Sequence, residues 1–464
     1  MFADQKMKKK TSPHSRMSSS LTRLSLCVAL AFGAAASAQA QSLLELYEAA
    51  RVYDAGYLAA RAQADSAIYK AEQANALDRP TLGLGVSGTH LQSDPPTVYG
   101  AGGAKVAGDR VGSSTVQAGL RANYALYNRS NKITIEQAKR GLNVAQADLE
   151  IAEQDLIVRV SQAYFDVLAA GDVLSTTRAS KAAIAEQLAS AKRNFEVGTA
   201  TITDTREAQA RFDVESAREL AADNDLRIKR ITLDQIVGRS GVEPKPLAVP
   251  VALPAVTPLT VDPWVNQADE LHPQVRKARL GLDVAGLEAD KARAADGVTV
   301  DLSGNLGVSN ARGRGAQLPG TGGQGSVAVE MNLPLYTGGY NSNRIKETLA
   351  LQERSRNDLE FARRTVAEGT RRAFFGVQSL AAQVKALEAA ESSSKLALEA
   401  TQLGYKVGVR VNLDVLNAQS QLYATQRDLA KARYDVVLTG LRLRQAAGQL
   451  RPEDVAAVNT LLSK

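Results

Sequence analysis

Phe195-Glu196-Val197-Gly198-Thr199-Ala200-Thr201-Ile202-Thr203-Asp204 reads as a helix stop followed at once by a helix start. The chain writes it again as Tyr405-Lys406-Val407-Gly408-Val409-Arg410-Val411-Asn412-Leu413-Asp414. Phe195 and Tyr405, Gly198 and Gly408, and Asp204 and Asp414 each stand 210 positions apart. The same interval separates Phe165 from Phe375, Gln209 from Gln419 and Gly238 from Gly448, so one unit is present twice. Gly198 and Gly408, beside Val197 and Val407, can take the left-handed conformation that ends a helix. Thr203 or Asp204, and Asn412 or Asp414, can cap the helix that follows. The turn reads as the tip of a long helical hairpin, and the tip as a gate.

Around these tips the helical period is unusually long. From Ser130 to Glu196 no proline interrupts it, which predicts a helix of about 100 Å at 1.5 Å per residue. A shorter helix over 203–237 returns from the first tip. Residues 341–403 and the stretch from Asn412 to Ala447 repeat this pair. Each long helix matches two shorter ones laid end to end beside it, the others being 43–77 and 263–295. Leu380, Val384 and Leu387 are spaced four and three, as a coiled-coil seam requires. Aromatic residues make up only 5% of the chain, so alanine and leucine carry the packing.

Between the helices the period changes to two. Leu82, Leu84 and Val86 alternate with Gly and Ser. Val116, Ala118, Leu120, Ala122, Tyr124 and Leu126 alternate with polar residues. Val298, Val300, Leu302, Leu306 and Val308, then Val327, Val329, Met331, Leu333 and Leu335, do the same. Such strands have one apolar and one polar face. The polar face carries Arg121, Asn123, Asp301, Asn305, Glu330 and Asn332, which suits a wet lumen better than a sealed core. About ten tilted residues cross a bilayer as a strand. Four strands cannot close a barrel, and lipid does not tolerate open edges. The chain must borrow strands from its own copies: three copies give a twelve-stranded pore, whereas a barrel of about eight strands would be filled by side chains. Loops at 89–113 and 310–325 then face outward, and the tips point into the periplasm.

The N-terminus reads as a secretory signal over residues 1–40. Lys8, Lys9, Lys10, Arg16 and Arg23 form its basic end, an apolar run from Leu24 to Ala36 is too short to span a bilayer, and Ala38-Gln39-Ala40 is a small-x-small cleavage site. Met7 and Met17 are alternative starts, and Leu26 before Cys27 argues against lipidation. Of the formal charge of +7, the leader supplies most: beyond residue 40 the chain has 50 basic against 48 acidic residues, which gives no case for nucleic acid. No cysteine follows residue 40, which excludes disulfides, a thiol nucleophile and cysteine metal sites. The expected division is a first repeat over 41–238, a Pro-rich connector over 239–263, a second repeat over 264–448 and a tail over 449–464. His90 and His272 lack metal-ligand spacing. The run Gly320-Thr321-Gly322-Gly323-Gln324-Gly325 lacks a phosphate loop's Lys-Ser/Thr and reads as a surface loop. Trp264 reads as a structural anchor. No catalytic constellation appears, and no cofactor or metal is expected.

Leu333-Pro334-Leu335-Tyr336-Thr337-Gly338-Gly339, Ala163-Tyr164-Phe165-Asp166-Val167-Leu168 and the two tip phrases resemble the TolC family of outer-membrane channel-tunnels, over nearly all of residues 43–459. The resemblance implies an α+β membrane protein: a homotrimer with a twelve-stranded transmembrane β-barrel, four strands per chain, continued by a long antiparallel α-helical periplasmic tunnel. It implies the outer membrane of a Gram-negative bacterium, docking to a periplasmic adaptor and an inner-membrane transporter (a secretion ATPase of the ABC kind or a proton-driven drug pump), and export of proteins or drugs. By position it places gate links at Thr203, Asp204, Tyr405 and Arg410. It places an acidic pore ring at Asp414 whose second position falls on Asn417, halving the ring's charge. An exposed Arg410–Asp204 pair would contribute about 0.5 kcal/mol. Asp204 and Asp414 also read simply as helix caps, Asp204 with Glu207 as a capping box. The rival reading is a soluble periplasmic coiled-coil adaptor with β-sandwich pieces.

Overall fold

The computed structural model describes residues 40–94, 98–99, 102–103, 105–106, 111–248, 257–313 and 319–463. The expected signal before Ala40, the middle of the connector and parts of both outer loops lie outside the described residues. Helices α1 (Leu43–Tyr53) and α2 (Ala55–Asn75) lead to strand β1 (Thr81–Ser93). After β2 (Val98–Tyr99) and β3 (Lys105–Val106), β4 (Val111–Asn128) runs straight into α3 (Arg129–Glu196), and α4 (Ile202–Val237) returns beside it. The second half repeats the order as α5 (Val261–Leu271), α6 (Pro273–Ala294), β5 (Thr299–Arg312), β6 (Gly320–Asn332), α7 (Tyr340–Lys406) and α8 (Asn412–Ala446). A further helix, α9 (Pro452–Asn459), occupies the expected tail and buries Val455 and Val458.

The two helical stretches expected before the strands, 43–77 and 263–295, are each broken once. Asp54 ends α1 in an extended conformation and caps α2, its carboxylate accepting from the Tyr57 N–H at 2.8 Å. Arg159 of α3 holds the same carboxylate through two hydrogen bonds of 2.9 and 3.0 Å. In the second repeat the break falls at His272, because Pro273 has no N–H to donate and disfavours a helical residue before it. Gly238 and Gly448, at φ 72° and 70°, end α4 and α8 against these breaks. A Cβ on Gly238 would lie 2.3 Å from Tyr53 Cγ, and one on Gly448 2.5 Å from His272 Cα. Such closeness lets α2 and α4, and likewise α6 and α8, form one column end to end beside a long helix.

The helices make a single layer that folds over near the tips, where α4 and α8 touch each other. Beside α3 lie α2 and α4 on one side and α6 and α8 on the other, and α7 packs on the far side of α6 and α8. Where the columns change helix, the main core gathers Leu43, Leu46, Tyr47, Leu156, Tyr164 and Leu233 with α9. The Tyr164 hydroxyl donates to the Lys245 carbonyl at 2.8 Å, and burial pushes its pKa far up. Trp264 anchors a smaller cluster with Phe374 and Leu443, its indole donating to the Pro258 carbonyl at 3.0 Å. The duplication is not carried through: Phe165 is 2% exposed in the main core, whereas Phe375 is 54% exposed.

The four long strands form one antiparallel sheet in the order β1-β4-β5-β6. They run further than alternation alone suggests. The Gly320–Gly325 run is not a loop but the first half of β6, with Thr321 opposite Asn310 and Gly325 opposite Leu306. Glycine breaks the visible alternation without breaking the backbone ladder. At the other end β6 stops at Asn332, so Leu333 and Leu335 lie beyond it. Leu84, Leu120 and Leu306 stand in one row across the sheet, as do Val86, Ala118 and Val308. This face has no cover: Leu84 is 73% and Val327 80% exposed. On the other face Arg121 Nε donates to Asn305 Oδ1 at 3.1 Å. Among the described residues the outer edges of β1 and β6 are unpaired.

Candidate functional site

Both tips close by one geometry. Val197 and Val407 lie at φ, ψ of −92°, 4° and −94°, 3°, and both Gly198 and Gly408 at φ 79°. The Thr199 and Ala200 N–H groups donate back to the Asn194 carbonyl at 2.8 and 3.2 Å. The Val409 and Arg410 N–H groups do the same to Gly404 at 2.9 and 3.1 Å. This is the helix-ending turn that a left-handed glycine permits.

The caps differ from the expected ones. Thr201, not Thr203 or Asp204, is the N-cap of α4, with Asp204 three residues on as its acid partner. The Asp204 N–H donates to Thr201 Oγ1 at 3.2 Å, and Asp204 Oδ2 accepts from the Thr201 N–H at 3.0 Å. Asp204 with Glu207 makes no box, because the chain leaves extended geometry one turn earlier. At the second tip Val411 is the cap position, neither Asn412 nor Asp414, and Asp414 accepts from its N–H at 3.4 Å.

Within one chain Arg410 does not meet Asp204. Its exposed guanidinium, in the turn before α8, lies 3.6 Å from Asp414 in that helix's first turn. Thr203 is exposed, and its side chain makes no hydrogen bond among the described residues. Tyr405 does join the two hairpins: Asn194 Nδ2 donates to its hydroxyl at 3.2 Å. Asn417 accepts from Arg211 Nη2 of α4 at 2.9 Å, and Asn412 from Gln187 Nε2 of α3 at 2.5 Å. Cationic side chains thus accompany both positions of the expected acidic ring.

Three turns above the tip stands a group that the sequence reading passes over. Glu215 is 3% exposed. Its Oε2 accepts from Arg218 Nη1 at 3.1 Å, while Oε1 has no hydrogen bond and lies 3.8 Å from Arg427 Nη1 of α8. The signal was present: Ala208, Phe212, Glu215, Glu219, Ala222 and Leu226 follow a four-three spacing, which puts a carboxylate in a seam register.

The comparisons with known proteins bear on the whole chain. The family model described as "Outer membrane efflux protein" matches residues 46–239 and 264–449. The chain belongs to the outer membrane efflux protein family. Among relatives, the "Outer membrane protein TolC" of Vibrio cholerae is 32% identical over 441 residues, covering 94% of this chain and 97% of its own. The "Alkaline protease secretion protein AprF" of Pseudomonas aeruginosa is 31% identical over 312 residues, covering 66% of this chain and 64% of its own. The crystal structure of the outer membrane protein VceC of Vibrio cholerae matches the fold with a TM-score of 0.73 at 20% identity, covering 88% of this chain and 96% of that one. The family places the chain in the Gram-negative outer membrane as an export duct. Among the described residues no helix is long and apolar enough to cross a membrane. The β-sheet, apolar on one face, is the element suited to lipid. A soluble adaptor with a β-sandwich would need a second sheet over that face, and none of the described strands provides one.

Proposed function

We propose that three copies of this chain close into one export duct, with a twelve-stranded barrel in the outer membrane and a helical tunnel in the periplasm. The observation that carries this is a pair of unpartnered heptad stripes at the two edges of the helix layer. On α7, Phe375, Ala382, Ala389, Leu396 and Leu403 recur every seven residues and are all exposed. On α4, Ala210, Val214, Ala217, Ala221, Ile228 and Ile231 follow the four-three spacing and are exposed too. Neither stripe carries a charge. The duplication supplies their pairing. Inside the chain the equivalent face of α3 packs on α8, with the Phe165 and Tyr434 rings 5.9 Å apart and the Tyr434 hydroxyl donating to Asp172 at 2.7 Å. Shifting each residue by 210 positions sets Phe375 of one copy opposite Asn224 of the next. The free edges of β1 and β6 join in the same head-to-tail sense, and such contacts generate a ring where the rotation closes.

In this reading the repeats are 41–238 and 264–448, joined by the connector 239–263. Thr203, Asp204, Tyr405 and Arg410 link neighbouring tips, and Asp414 lines the narrowest passage. Arg211 on Asn417 and Arg410 near Asp414 offset the carboxylates, so cation preference at the constriction is weak. A periplasmic adaptor and an inner-membrane transporter load the duct with drugs or with proteins, as in type I secretion. Oxidative cross-linking tests the closure. The variant Asn224→Cys with Phe375→Cys should give a covalent trimer and nothing larger. Monomers alone, or dimers as the end product, would overturn it.

A further inference from the structure

Where α6 meets α8 end to end between α3 and α7, the layer carries an open cavity of about 750 Å³. Its size is that of a site for a drug-sized molecule. Gln154 of α3 lines it and is 4% exposed, and its side chain has no hydrogen-bond partner among the described residues. Its amide is open to this space and free to hydrogen-bond an occupant there.

The charges around the cavity are unbalanced. Asp148, Asp155 and Asp358 face it, against a single Lys277. Lys277 is taken by Asp148 at 2.6 Å. Asp155 accepts from Gln445 Nε2 at 3.0 Å; its interaction with Arg159, one turn along α3, is at longer range, because that guanidinium is bound to Asp54. Asp358 has only Arg354, 3.7 Å away and largely in solvent. His272, at the rim, does not compensate: burial lowers its pKa, which keeps the ring neutral at pH 7. Phe361 presents its ring here at 72% exposure, beside the apolar side chains of Val144 and Ile151.

We infer that this cavity is a binding site for an amphipathic aromatic cation, its charge set against Asp155 and Asp358, its rings on Phe361, and its polar edge on Gln154. A cation over an aromatic face and beside weakly compensated carboxylates is attracted by both, whereas a neutral molecule of the same shape gains only the apolar contact. All of its lining residues come from one chain.

Equilibrium dialysis of tetraphenylphosphonium against the full chain in lipid nanodiscs, with empty nanodiscs as reference, tests this. Saturable binding of one cation per chain is expected, weakened at least tenfold by Asp155→Asn with Asp358→Asn. Asp358 and Phe361 are exposed, so Asp358→Asn and Phe361→Ala leave the fold intact and should each weaken binding severalfold. Neutral triphenylphosphine oxide should show no saturable component. Uptake equal to that of empty nanodiscs, equal binding of the neutral compound, or indifference to both Asp358→Asn and Phe361→Ala would overturn the inference.

Discussion

The contact between Glu215 and Arg427 makes a quantitative prediction, because it joins the first hairpin to the second just above the tips. Glu215 has lost nearly all its water, yet its carboxylate holds one hydrogen bond, from Arg218, and a second cation at 3.8 Å. A pair this incompletely satisfied recovers little of its desolvation cost. Removing Arg427 alone leaves the carboxylate with Arg218 only, and Arg427→Leu should cost about 3 kcal/mol. Removing Glu215 is milder, about 1 kcal/mol, because the Arg427 side chain is 23% exposed and keeps some water. Leucine at both positions fills a seam register with apolar surface, and the double variant should be within about 1 kcal/mol of the parent or above it. The coupling is then about 3 kcal/mol, some hundredfold in an equilibrium constant. Urea unfolding of the four proteins, followed by circular dichroism, measures it. Strictly additive single effects would refute the reasoning, since two side chains that do not interact cannot couple. If the pair also helps hold the hairpins together, the double variant should change its open time in planar bilayers as well.

Other outcomes follow from the same geometry. Leu306→Arg places a charge on the apolar face of β5 and should cost about 2–4 kcal/mol in the membrane, depleting the chain from the outer-membrane fraction, whereas Asn305→Arg on the opposite face should insert normally. Gly448→Ala meets the His272 backbone and should lower stability by about 3 kcal/mol. Gly198→Ala, with open space around it, should bear only the backbone strain of about 1 kcal/mol, and thermal unfolding separates the two. The hydrogen bonds from Arg159, with those of the Tyr57 and Gly56 N–H groups, hold the Asp54 pKa below its ordinary value. Its contribution is therefore complete above about pH 4 and lost as pH falls through the lowered value, so Asp54→Asn should flatten that part of the acid unfolding curve. Asp204→Ala with Arg410→Ala should raise single-channel conductance, and an unchanged conductance would count against these residues as links.

The sequence by itself determined the periodic features: the 210-residue duplication, the two long helices, their glycine turns and the four strands with one apolar face. All of these depend on neighbours in the chain, through backbone conformation or a repeat of two or three and a half residues, and such information is local. Tertiary structure decided what local signals leave open. Helix breaks at Asp54 and His272 show their purpose only when Gly238 and Gly448 are seen resting against them. Thr201 caps α4 because the turn leaves extended geometry there, a choice that three nearby polar residues share on paper. Arg410 lies near Asp414 rather than Asp204 because the two aspartates sit on different hairpins. Gly320 to Gly325 joined the sheet because backbone pairing needs no side chains, so the alternating pattern was silent where the ladder was intact. Glu215 became a buried charge only when α8 came to lie against α4, a contact between residues 212 positions apart.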